Sequence, residues 1–416
     1  MLSAEIIAVG SELLTPERTD TNSLWLTEKL NDIGIEVKLK TIVGDDEMRL
    51  EETIRDAVKR SDIVITTGGL GPTEDDLTRQ ISAKAIERPL VYHDEIEADL
   101  RTRFLRWGRE MPEINKRQAF VIEGADVLPN PNGSAVGMLV RIGEKFLVVL
   151  PGPPRELQPM FEMNVLQHLK EAAGEIFVKR KVLRVTGMGE SMLDEAISPI
   201  YKAYASVQTS ILFNKTEVEV QLAATATNEP EADRIVNELA DKISEKLGPA
   251  LFSVNGETME EVIGAMLTER GKTVSFAESC TGGLIAERVT EVPGSSRYFI
   301  EGAVTYSNDA KVRTLGVRSE TLEQFGAVSS QTAEEMAAGM RDRAGTDYAI
   351  SVTGIAGPDG GTEEKPVGTV FLGLADADGT RSKKFTFPGD RYLIRWRTSQ
   401  AALDLLRRRM IKKDEQ

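Results

Sequence analysis

Short apolar stretches rich in β-branched residues alternate with amphipathic stretches of helical length along this chain. The first part holds three strand-like stretches, AEIIAVG, EVKLKTIVGDD and DIVITTGG, which are separated by the amphipathic stretches TNSLWLTEKLNDIG and EMRLEETIRDAVKRS. Strands that are joined by helices of this length form parallel sheets with helices on both faces. The alternation therefore predicts an α/β fold.

The pattern divides the 416 residues into three blocks, which we predict to be separate domains. Residues 1–170 and 253–416 each alternate between strands and helices and are predicted as two α/β sheet domains. Residues 171–252 contain a strand, a helix, a second strand pattern and a helix, which indicates a small α+β unit between them. The two α/β blocks share no obvious repeat, so we expect them to have separate activities.

The charge balance disfavours nucleic acid as a partner. The chain has 51 Lys and Arg against 66 Asp and Glu, a net charge of −15, and an acidic surface repels phosphate backbones. The middle stretch GMGE (187–190) can be mistaken for the phosphate-clamping loop of an RNA-binding KH module, but its spacing is wrong and it carries Glu190. We therefore expect no nucleic-acid partner, whereas basic clefts for small phosphorylated ligands remain open.

Targeting signals are not evident in the sequence. The N-terminal stretch MLSAEIIAVGSELL lacks the positive charge of a signal peptide and is interpreted as the first strand. No run approaches the roughly 18 apolar residues of a membrane span. The single cysteine cannot form an internal disulfide. We therefore expect a cytoplasmic protein without a membrane partner.

The stretch TTGGLGPTEDDLT (66–78) follows an apolar strand and precedes a helix. Glycines at 68, 69 and 71 allow backbone amides to approach a phosphate, and the following helix N-terminus favours negative charge. Asp75 and Asp76 are placed where a divalent cation could bridge them to that phosphate. A glycine turn with acidic N-capping residues explains the same pattern equally well.

Three further polar turns end strands in the same block: VGDDE with Asp45, NPNGSAVG with Asn132, and PGPPRE with Arg155. Open α/β sheets bind ligands at the carboxyl ends of their strands. Acidic, amide and arginine side chains gathered at that edge suggest a nucleotide site. We therefore predict that Gly68, Gly69, Gly71, Asn132 and Arg155 bind substrate.

These motifs resemble a known family. TTGGLGPTEDDLT, DTNS (20–23) and PGPPREL are similar to the molybdopterin-binding-like domain of the CinA family. The motifs AESCTGG, YSNDAK, GIAGPDGG and EEKPVGTV resemble the CinA C-terminal domain, which also occurs alone as the nicotinamide mononucleotide (NMN) deamidase PncC. The middle block resembles the KH-like domain of full-length CinA proteins. The resemblance covers essentially the whole chain.

The resemblance implies two activities: hydrolysis of the ADP-ribose pyrophosphate in the N-terminal domain and deamidation of NMN in the C-terminal domain. It places Asp45 and Asp76 at the ligand site of the first domain, where a divalent metal ion (Mg, Mn or Co) is expected; the second domain is expected to need no cofactor. Pro16 stands where the family commonly has glycine, so the first loop is expected to be stiffer. The related molybdenum-cofactor proteins, whose substrate is a pterin, are the alternative for this domain.

The stretch SFAESCTGG offers two adjacent nucleophiles, Ser279 and Cys280. A catalytic thiol or hydroxyl usually has a histidine partner, but the chain has only His93 and His168, both in the first block. Histidine chemistry is therefore disfavoured. Without it, Ser279 is interpreted as a helix N-cap, a nucleophile with another base, or both, and Cys280 as a small buried apolar side chain.

Lys311 in TYSNDAK follows the next strand and is the candidate base. Burial lowers the pKa of a lysine, so that the amine can accept a proton. From the residues alone a solvated surface lysine is the commoner case, whereas the resemblance implies a Ser279–Lys311 hydrolase. Tyr306 is expected to orient Lys311 or to relay a proton. Backbone amides of the CTGG stretch, which includes Thr281 and Gly282, are expected to hold the oxyanion.

The stretch TGIAGPDGGTEEKPVG (353–368) follows another strand. Its glycines suit a substrate phosphate or ribose, with Thr353, Gly354 and Gly357 as predicted contacts; an ordinary long surface loop is the alternative. Arg395 matches a family position that serves the substrate, although RYLIRWR also fits a basic helix face.

Two further expectations concern the function and the oligomeric state of the protein. The family's association with competence and DNA repair leaves a non-enzymatic interaction protein as the alternative function. An α/β enzyme of this kind is also expected to be a homodimer.

Overall fold

The computed structural model describes residues 2–414, and these form two compact units. One comprises the chain up to Lys179 together with Ala224–Asp233, and the other comprises Arg180–Ala223 together with the chain from Arg234 onward. Within the described range, no helix combines the length and the apolar character that crossing a membrane requires. The three domain ranges drawn from the sequence remain predictions.

The first unit contains a six-stranded sheet with helices on both faces. Its elements in chain order are β1 (Ser3–Val9), α1 (Thr21–Asp32), β2 (Glu36–Val43), α2 (Glu47–Arg60), β3 (Ile63–Thr67), α3 (Thr78–Ala85), β4 (Leu90–Tyr92), α4 (Asp94–Arg106), β5 (Phe120–Ile122), β6 (Ala125–Leu128), β7 (Gly137–Ile142), β8 (Lys145–Leu150), α5 (Pro154–Asn164) and α6 (Leu166–Ala173). The strand order is β2-β1-β3-β8-β7-β6, and β4 and β5 form a separate antiparallel pair.

Burial on both sheet faces explains the composition of the central strands. Ile7 and Val64 pack into one core, whereas Ile6 and Ile65 pack into the core on the opposite face. Strands that are buried on both sides have near-continuous apolar sequences, as in β1 and β3. Because β1, β3 and β8 are parallel, their carboxyl ends meet at one edge of the sheet, where Gly68 has a φ of 104°. A Cβ there would lie 2.2 Å from the Val9 carbonyl oxygen, so this turn requires glycine.

A four-stranded sheet follows. Its elements are β9 (Phe177–Thr186), α7 (Glu190–Tyr201), β10 (Val207–Asn214), β11 (Glu217–Ala226), α8 (Glu229–Leu247) and β12 (Leu251–Ser253). The order is β10-β11-β9-β12. This arrangement confirms the predicted small α+β unit and adds the hairpin strand β10.

The remaining chain forms a five-stranded sheet with helices on both faces. Its elements are α9 (Met259–Glu269), β13 (Val274–Glu278), α10 (Leu284–Thr290), β14 (Phe299–Val304), α11 (Asn308–Leu315), α12 (Ser319–Phe325), α13 (Ser330–Ala344), β15 (Tyr348–Gly354), β16 (Thr369–Asp376), β17 (Gly379–Thr386) and α14 (Arg391–Asp414). The order is β14-β13-β15-β16-β17. The predicted α/β fold of both larger blocks is confirmed.

Both larger sheets are mixed rather than wholly parallel. β13 pairs in parallel with β14 and β15, but β16 and β17 are antiparallel additions. In the first unit β7 and β6 are likewise antiparallel. A parallel pair needs a crossover, usually a helix, whereas no helix lies between β15 and β16. The chain therefore returns antiparallel after β15.

Close packing of α13 fixes the position of α11. Gly339 in α13 faces the last residue of α11, and a Cβ on it would lie only 1.7 Å from the Leu315 carbonyl oxygen. Glycine in a helix interior is about 1 kcal/mol less favourable than alanine. This cost is tolerated because it lets the two helices approach.

We predict that Gly339→Ala lowers the free energy of unfolding by about 1–3 kcal/mol, because overpacking outweighs the gain in helix propensity. Urea denaturation followed by circular dichroism measures the change. The neighbouring Ala338→Ser, in the same helix, should cost about 0.5 kcal/mol or less. A Gly339→Ala protein as stable as the original would contradict the close approach.

Candidate active site in the C-terminal sheet

Glu278 and Ser279 mark the carboxyl end of the central strand β13. The buried Glu278 carboxylate accepts hydrogen bonds from the amides of Gly283 (3.0 Å), Ile285 (3.1 Å) and Ala286 (2.9 Å). It thereby caps α10 and ties the intervening turn to the sheet. Because Gly283 occupies the N-cap position of α10, the reading of Ser279 as an N-cap is wrong.

Lys311 lies in the first turn of α11 and reaches back to the same strand end. Its side chain is 1% exposed, and Nζ lies 3.2 Å from Ser279 Oγ, 2.9 Å from the Thr305 carbonyl oxygen and 3.3 Å from the Tyr306 carbonyl oxygen. The Ser307 hydroxyl accepts from the Ala310 amide and starts the helix that carries it. The structure therefore brings the predicted nucleophile and base together.

Burial lowers the pKa of Lys311 below that of an ordinary lysine, since the low-dielectric surroundings disfavour the ammonium form. A neutral amine has two hydrogens and one lone pair. The Thr305 and Tyr306 carbonyls can accept the two hydrogens, which leaves the lone pair for the Ser279 hydroxyl proton. The surroundings therefore fit a lysine that acts as a base.

Cys280 is placed differently from its neighbour. It is 6% exposed and packs in the apolar core between the sheet and α14. Burial raises the pKa of its thiol to about 12, so the thiolate is strongly disfavoured at neutral pH. The geometry favours Ser279 of the two candidate nucleophiles.

Tyr306 contacts Lys311 through its backbone carbonyl, whereas its hydroxyl accepts a hydrogen bond from Arg391 Nη2 (3.2 Å). Arg391 Nη1 also donates to the Gly357 carbonyl oxygen (2.7 Å) and so links the two loops. The hydroxyl that was expected to orient the base or relay its proton is therefore engaged with an arginine. The sequence analysis missed Arg391, although its spacing of four residues from Arg395 places both on one helix face.

The remaining predicted contacts are largely engaged with backbone. Arg395 Nη2 donates to the Thr281 carbonyl oxygen (2.6 Å), and Thr353 Oγ1 donates to the Ala327 carbonyl oxygen (2.6 Å). Gly282 donates its amide to the Ser279 carbonyl oxygen (3.1 Å). Gly354 ends β15, where a Cβ would lie 2.7 Å from Val370 Cγ2. Arg395 and Thr353 thus hold the loops around Ser279 in place.

The Thr281 hydroxyl differs from these engaged groups. Its side chain is fully buried, and Oγ1 has no hydrogen-bond partner among the described residues. An unpaired buried hydroxyl costs about 1–3 kcal/mol, and this one lies two residues after the candidate nucleophile Ser279. A bound substrate can supply the missing partner.

A cavity in the N-terminal sheet

A cavity of about 640 Å³ lies at the carboxyl edge of the first unit's sheet. Four of its lining residues are the predicted Gly68, Gly69, Gly71 and Asp76. Asp45, Asp75, Asn132 and Arg155 do not line it. The structure thus brings together the glycine turn and one of the three predicted metal ligands.

The residues outside the cavity have local roles. Asp45 Oδ2 accepts from the Ser11 amide (3.0 Å), and Asn132 Nδ2 donates to the Arg155 carbonyl oxygen (2.7 Å). These bonds join segments that are far apart in the sequence, and so they hold loops at the strand ends together. They give Asp45 and Asn132 a structural role that needs no ligand.

Asn22, from the DTNS motif, lines the cavity and has a buried oxygen that is unpaired among the described residues. Its Nδ2 donates to Thr67 Oγ1 (3.0 Å) and to the Gly152 carbonyl oxygen (2.6 Å). Its Oδ1 is buried and has no partner within the described chain. In the sequence, Asn22 stood out only as part of the DTNS motif, whose first residue, Asp20, N-caps α1.

Arg79 supports the glycine turn from inside the protein. Its Nη2 donates to the Leu70 carbonyl oxygen and its Nη1 to the Arg117 carbonyl oxygen, both at 3.1 Å. Burial lowers the pKa of this guanidinium to about 10. The cation fixes the turn without lining the cavity.

Carboxylates dominate the charge of the cavity. Glu12, Asp20, Asp76 and Glu156 line it, against Arg18 as the cation in the lining. Within residues 2–414, however, no three His, Cys, Asp or Glu side chains are grouped closely enough to hold a metal ion. This donor set fits a magnesium-type ion that takes one or two carboxylates and completes its shell with phosphate oxygens and water.

Comparison with protein families gives three consecutive matches. "Probable molybdopterin binding domain" matches residues 5–171, "Damage-inducible protein CinA KH domain" matches residues 180–253, and "CinA C-terminal domain" matches residues 256–410. The matches follow the order that the sequence motifs indicate.

Whole-chain relatives are similar over their full length. A CinA-like protein from Solibacter usitatus is 48% identical over 414 residues, which is 100% of both chains. A CinA-like protein from Koribacter versatilis is 45% identical over 413 residues, covering 98% of this chain and 100% of the relative. Among solved structures, competence/damage inducible protein CihA from Agrobacterium tumefaciens is 47% identical, covering 36% of this chain and 91% of that one, with a TM-score of 0.35.

We predict that the stability difference between the original protein and Lys311→Met depends on pH. Between the lowered folded pKa and the ordinary value of 10.5, the unfolded chain binds a proton that folded Lys311 does not. The free energy of unfolding of the original protein, relative to that of Lys311→Met, should therefore be larger at about pH 9.5 than at about pH 7. Urea unfolding of both proteins at the two pH values measures this difference.

The control is Lys272→Met. Asp347 raises the pKa of Lys272 through a hydrogen bond, so Lys272 is protonated in both the folded and the unfolded chain below pH 10.5. The difference in the free energy of unfolding between the original protein and Lys272→Met should therefore be the same at about pH 7 and about pH 9.5. A flat difference for Lys311→Met as well would contradict the lowered pKa.

Proposed function

The chain belongs to the CinA family, and we propose that its C-terminal sheet forms an amidohydrolase that converts NMN to nicotinate mononucleotide and ammonia. The observation that carries the proposal is the 3.2 Å separation of Lys311 Nζ and Ser279 Oγ at a buried strand end. The family match alone supports an enzymatic role of this domain only in general terms. The substrate comes from the resemblance to NMN deamidases.

In the first half-reaction, Ser279 Oγ attacks the carboxamide carbon while its proton moves to the Lys311 amine. The two carbonyls that hold the amine hydrogens keep the lone pair directed at Oγ. Collapse of the tetrahedral intermediate breaks the C–N bond, and the Lys311 ammonium returns its proton to the leaving nitrogen. Ammonia departs and an acyl-serine remains.

In the second half-reaction, water attacks the acyl-serine with Lys311 again as base. The carboxylate product forms, and Ser279 recovers its proton. No cofactor takes part in either half-reaction. The sequence expectation that this domain acts without one is therefore part of the proposal.

The oxyanion is assigned to the turn directly after Ser279. Glu278 engages the amides of Gly283, Ile285 and Ala286, and the Gly282 amide donates to the Ser279 carbonyl. We therefore place the developing charge near the amides of Cys280 and Thr281. The unpaired Thr281 hydroxyl can donate to the same oxygen or to the substrate carboxamide.

Ammonia release from NMN tests this proposal. Ser279→Ala and Lys311→Met should each lower kcat by about a thousandfold or more, since they remove the nucleophile and its base. Cys280→Ala should stay within about threefold of the original rate. Loss of activity in Cys280→Ala, combined with activity in Ser279→Ala, would overturn the assignment.

For the first unit we propose hydrolysis of the ADP-ribose pyrophosphate. The supporting observation is the cavity with a glycine turn, four carboxylates and the unpaired Asn22 oxygen. A bare diphosphate would be repelled by the carboxylates, so a divalent cation (Mg, Mn or Co) must accompany it. Asp76 is the lining carboxylate from the predicted set, and the ion would neutralise charge on the phosphates.

ADP-ribose hydrolysis should require a divalent metal and stop in EDTA. Asp76→Asn should lower the rate by about a hundredfold, while the adjacent Asp75→Asn, outside the cavity lining, should retain it. AMP production measured by chromatography gives both rates. Activity that survives EDTA would count against the metal, and binding of a pterin without ADP-ribose hydrolysis would favour the molybdenum-cofactor alternative.

A non-enzymatic role in competence or DNA repair is the alternative function. Absence of turnover on both nucleotides, together with a stable protein complex in pull-down, would favour it. The homodimer, the cytoplasmic location and the absence of a nucleic-acid partner remain predictions.

A further inference from the structure

A second cavity, of about 600 Å³, is lined by residues of the second unit, and Ser279, Lys311 and Arg395 are not among them. It is lined by the loop after β9, the tip of the β10–β11 hairpin, the end of β17 and one face of α14. Its volume falls in the range of roughly 300–1,000 Å³ that is usual for small-molecule sites. No role assigned above uses it.

Aromatic rings form one wall of this cavity. Phe385 and Phe387 are stacked, with ring centroids 5.3 Å apart and planes inclined by 14°. Both are half-buried, and the cavity lining also includes the 52%-exposed Phe213. Rings held in this way can stack on a planar ligand.

Cationic side chains surround the aromatic wall. Lys383, Arg397 and Arg408 line the cavity, against Asp404 as the carboxylate in the lining. Lys383 Nζ lies 4.9 Å from the centroid of the Phe385 ring, so cation and ring face the same space. On a chain with a net charge of −15, a concave cationic site attracts small anions selectively.

Regular elements fix these groups in position. Arg397, Ala401, Asp404 and Arg408 recur at three- and four-residue intervals and form one stripe along α14. Arg408 Nε donates to Asp404 Oδ2 (2.6 Å), and Arg397 donates to the Pro388 carbonyl oxygen. The lining also contains Gly187 and Gly189, where a Cβ would meet no atom within 4 Å. The two arginines are thus held by hydrogen bonds, and the glycine loop leaves open space.

We infer that this cavity binds a mononucleotide, whose base stacks on the Phe385–Phe387 wall and whose phosphate contacts Lys383 and Arg397. The combination of a planar apolar surface with adjacent cations fits a ligand that carries both an aromatic ring and a phosphate. This inference does not depend on the reaction at Ser279.

The test uses AMP, adenosine and ribose 5-phosphate with the full-length protein in isothermal titration calorimetry. AMP should bind about tenfold or more tightly than either fragment, because only AMP contacts both the rings and the cations. Raising the salt concentration should weaken AMP binding.

Adjacent residues of β17 provide a matched pair of variants. Lys383→Glu should weaken AMP binding by about tenfold or more, whereas Lys384→Glu should leave it unchanged. Lys384 is outside the cavity lining, and its Nζ lies over the Phe371 ring, because neighbouring strand residues point to opposite faces. Both variants are substitutions of exposed lysines, and equal melting temperatures would verify that they fold.

Equal AMP affinity in Lys383→Glu and Lys384→Glu would place AMP at another site and overturn the inference, as would no binding of AMP at all. Lys383-dependent binding of a single-stranded oligoadenylate in place of AMP would also overturn it, in favour of a nucleic acid. NMN turnover by Lys383→Glu should equal that of the original protein. AMP binding therefore tests the mononucleotide site, and ammonia release from NMN separately tests the deamidase proposal.

Discussion

Burial of the Lys311 amine is the constraint on which the C-terminal sheet depends. A solvated lysine is protonated at neutral pH and cannot take the proton of a serine. Here the amine is 1% exposed, and the two carbonyls beside it can accept two hydrogens but offer no negative charge to a third. The close approach of α13 at Gly339 holds α11, and with it Lys311, against the sheet. Packing at Gly339 thus contributes to the burial that lowers the pKa of Lys311.

Glu278 has the complementary role on the other side of Ser279. A helix N-terminus directly after a nucleophile is usually regarded as the source of oxyanion stabilisation. In this protein the Glu278 carboxylate accepts hydrogen bonds from three amides at the start of α10, so these amides already have a negatively charged partner. Stabilisation is then left to the short turn between Ser279 and Gly283. The geometry of that turn, more than the helix as a whole, should determine the rate.

The sequence was sufficient for the α/β fold, because apolar strands alternate with stretches of helical length. It proposed the Ser279–Lys311 pair only through the family resemblance, because the residues alone favoured a solvated lysine. It was not sufficient for Glu278, which accepts from three backbone amides, or for Arg391, which donates to the Gly357 carbonyl and the Tyr306 hydroxyl. Only the folded chain brings these partners near. In the first unit, the convergence of polar turns was predicted, but the direction of each side chain could not be read. Asp76 lines the cavity whereas the adjacent Asp75 does not. The antiparallel pairing of β16 with β15 was also not predicted, since the length of the loop between them does not reveal the direction in which β16 runs.

The two cavities differ in the sign of their charge, and this difference separates the ligands they can accept. The cavity of the first unit is lined by four carboxylates and can hold a phosphate only together with a cation. The cavity beside α14 is cationic and can hold a phosphate directly. Chelation of divalent metal should consequently affect phosphate ligands in the first and spare those in the second. The two proposals therefore assign this negatively charged chain two independent electrostatic routes to phosphorylated ligands.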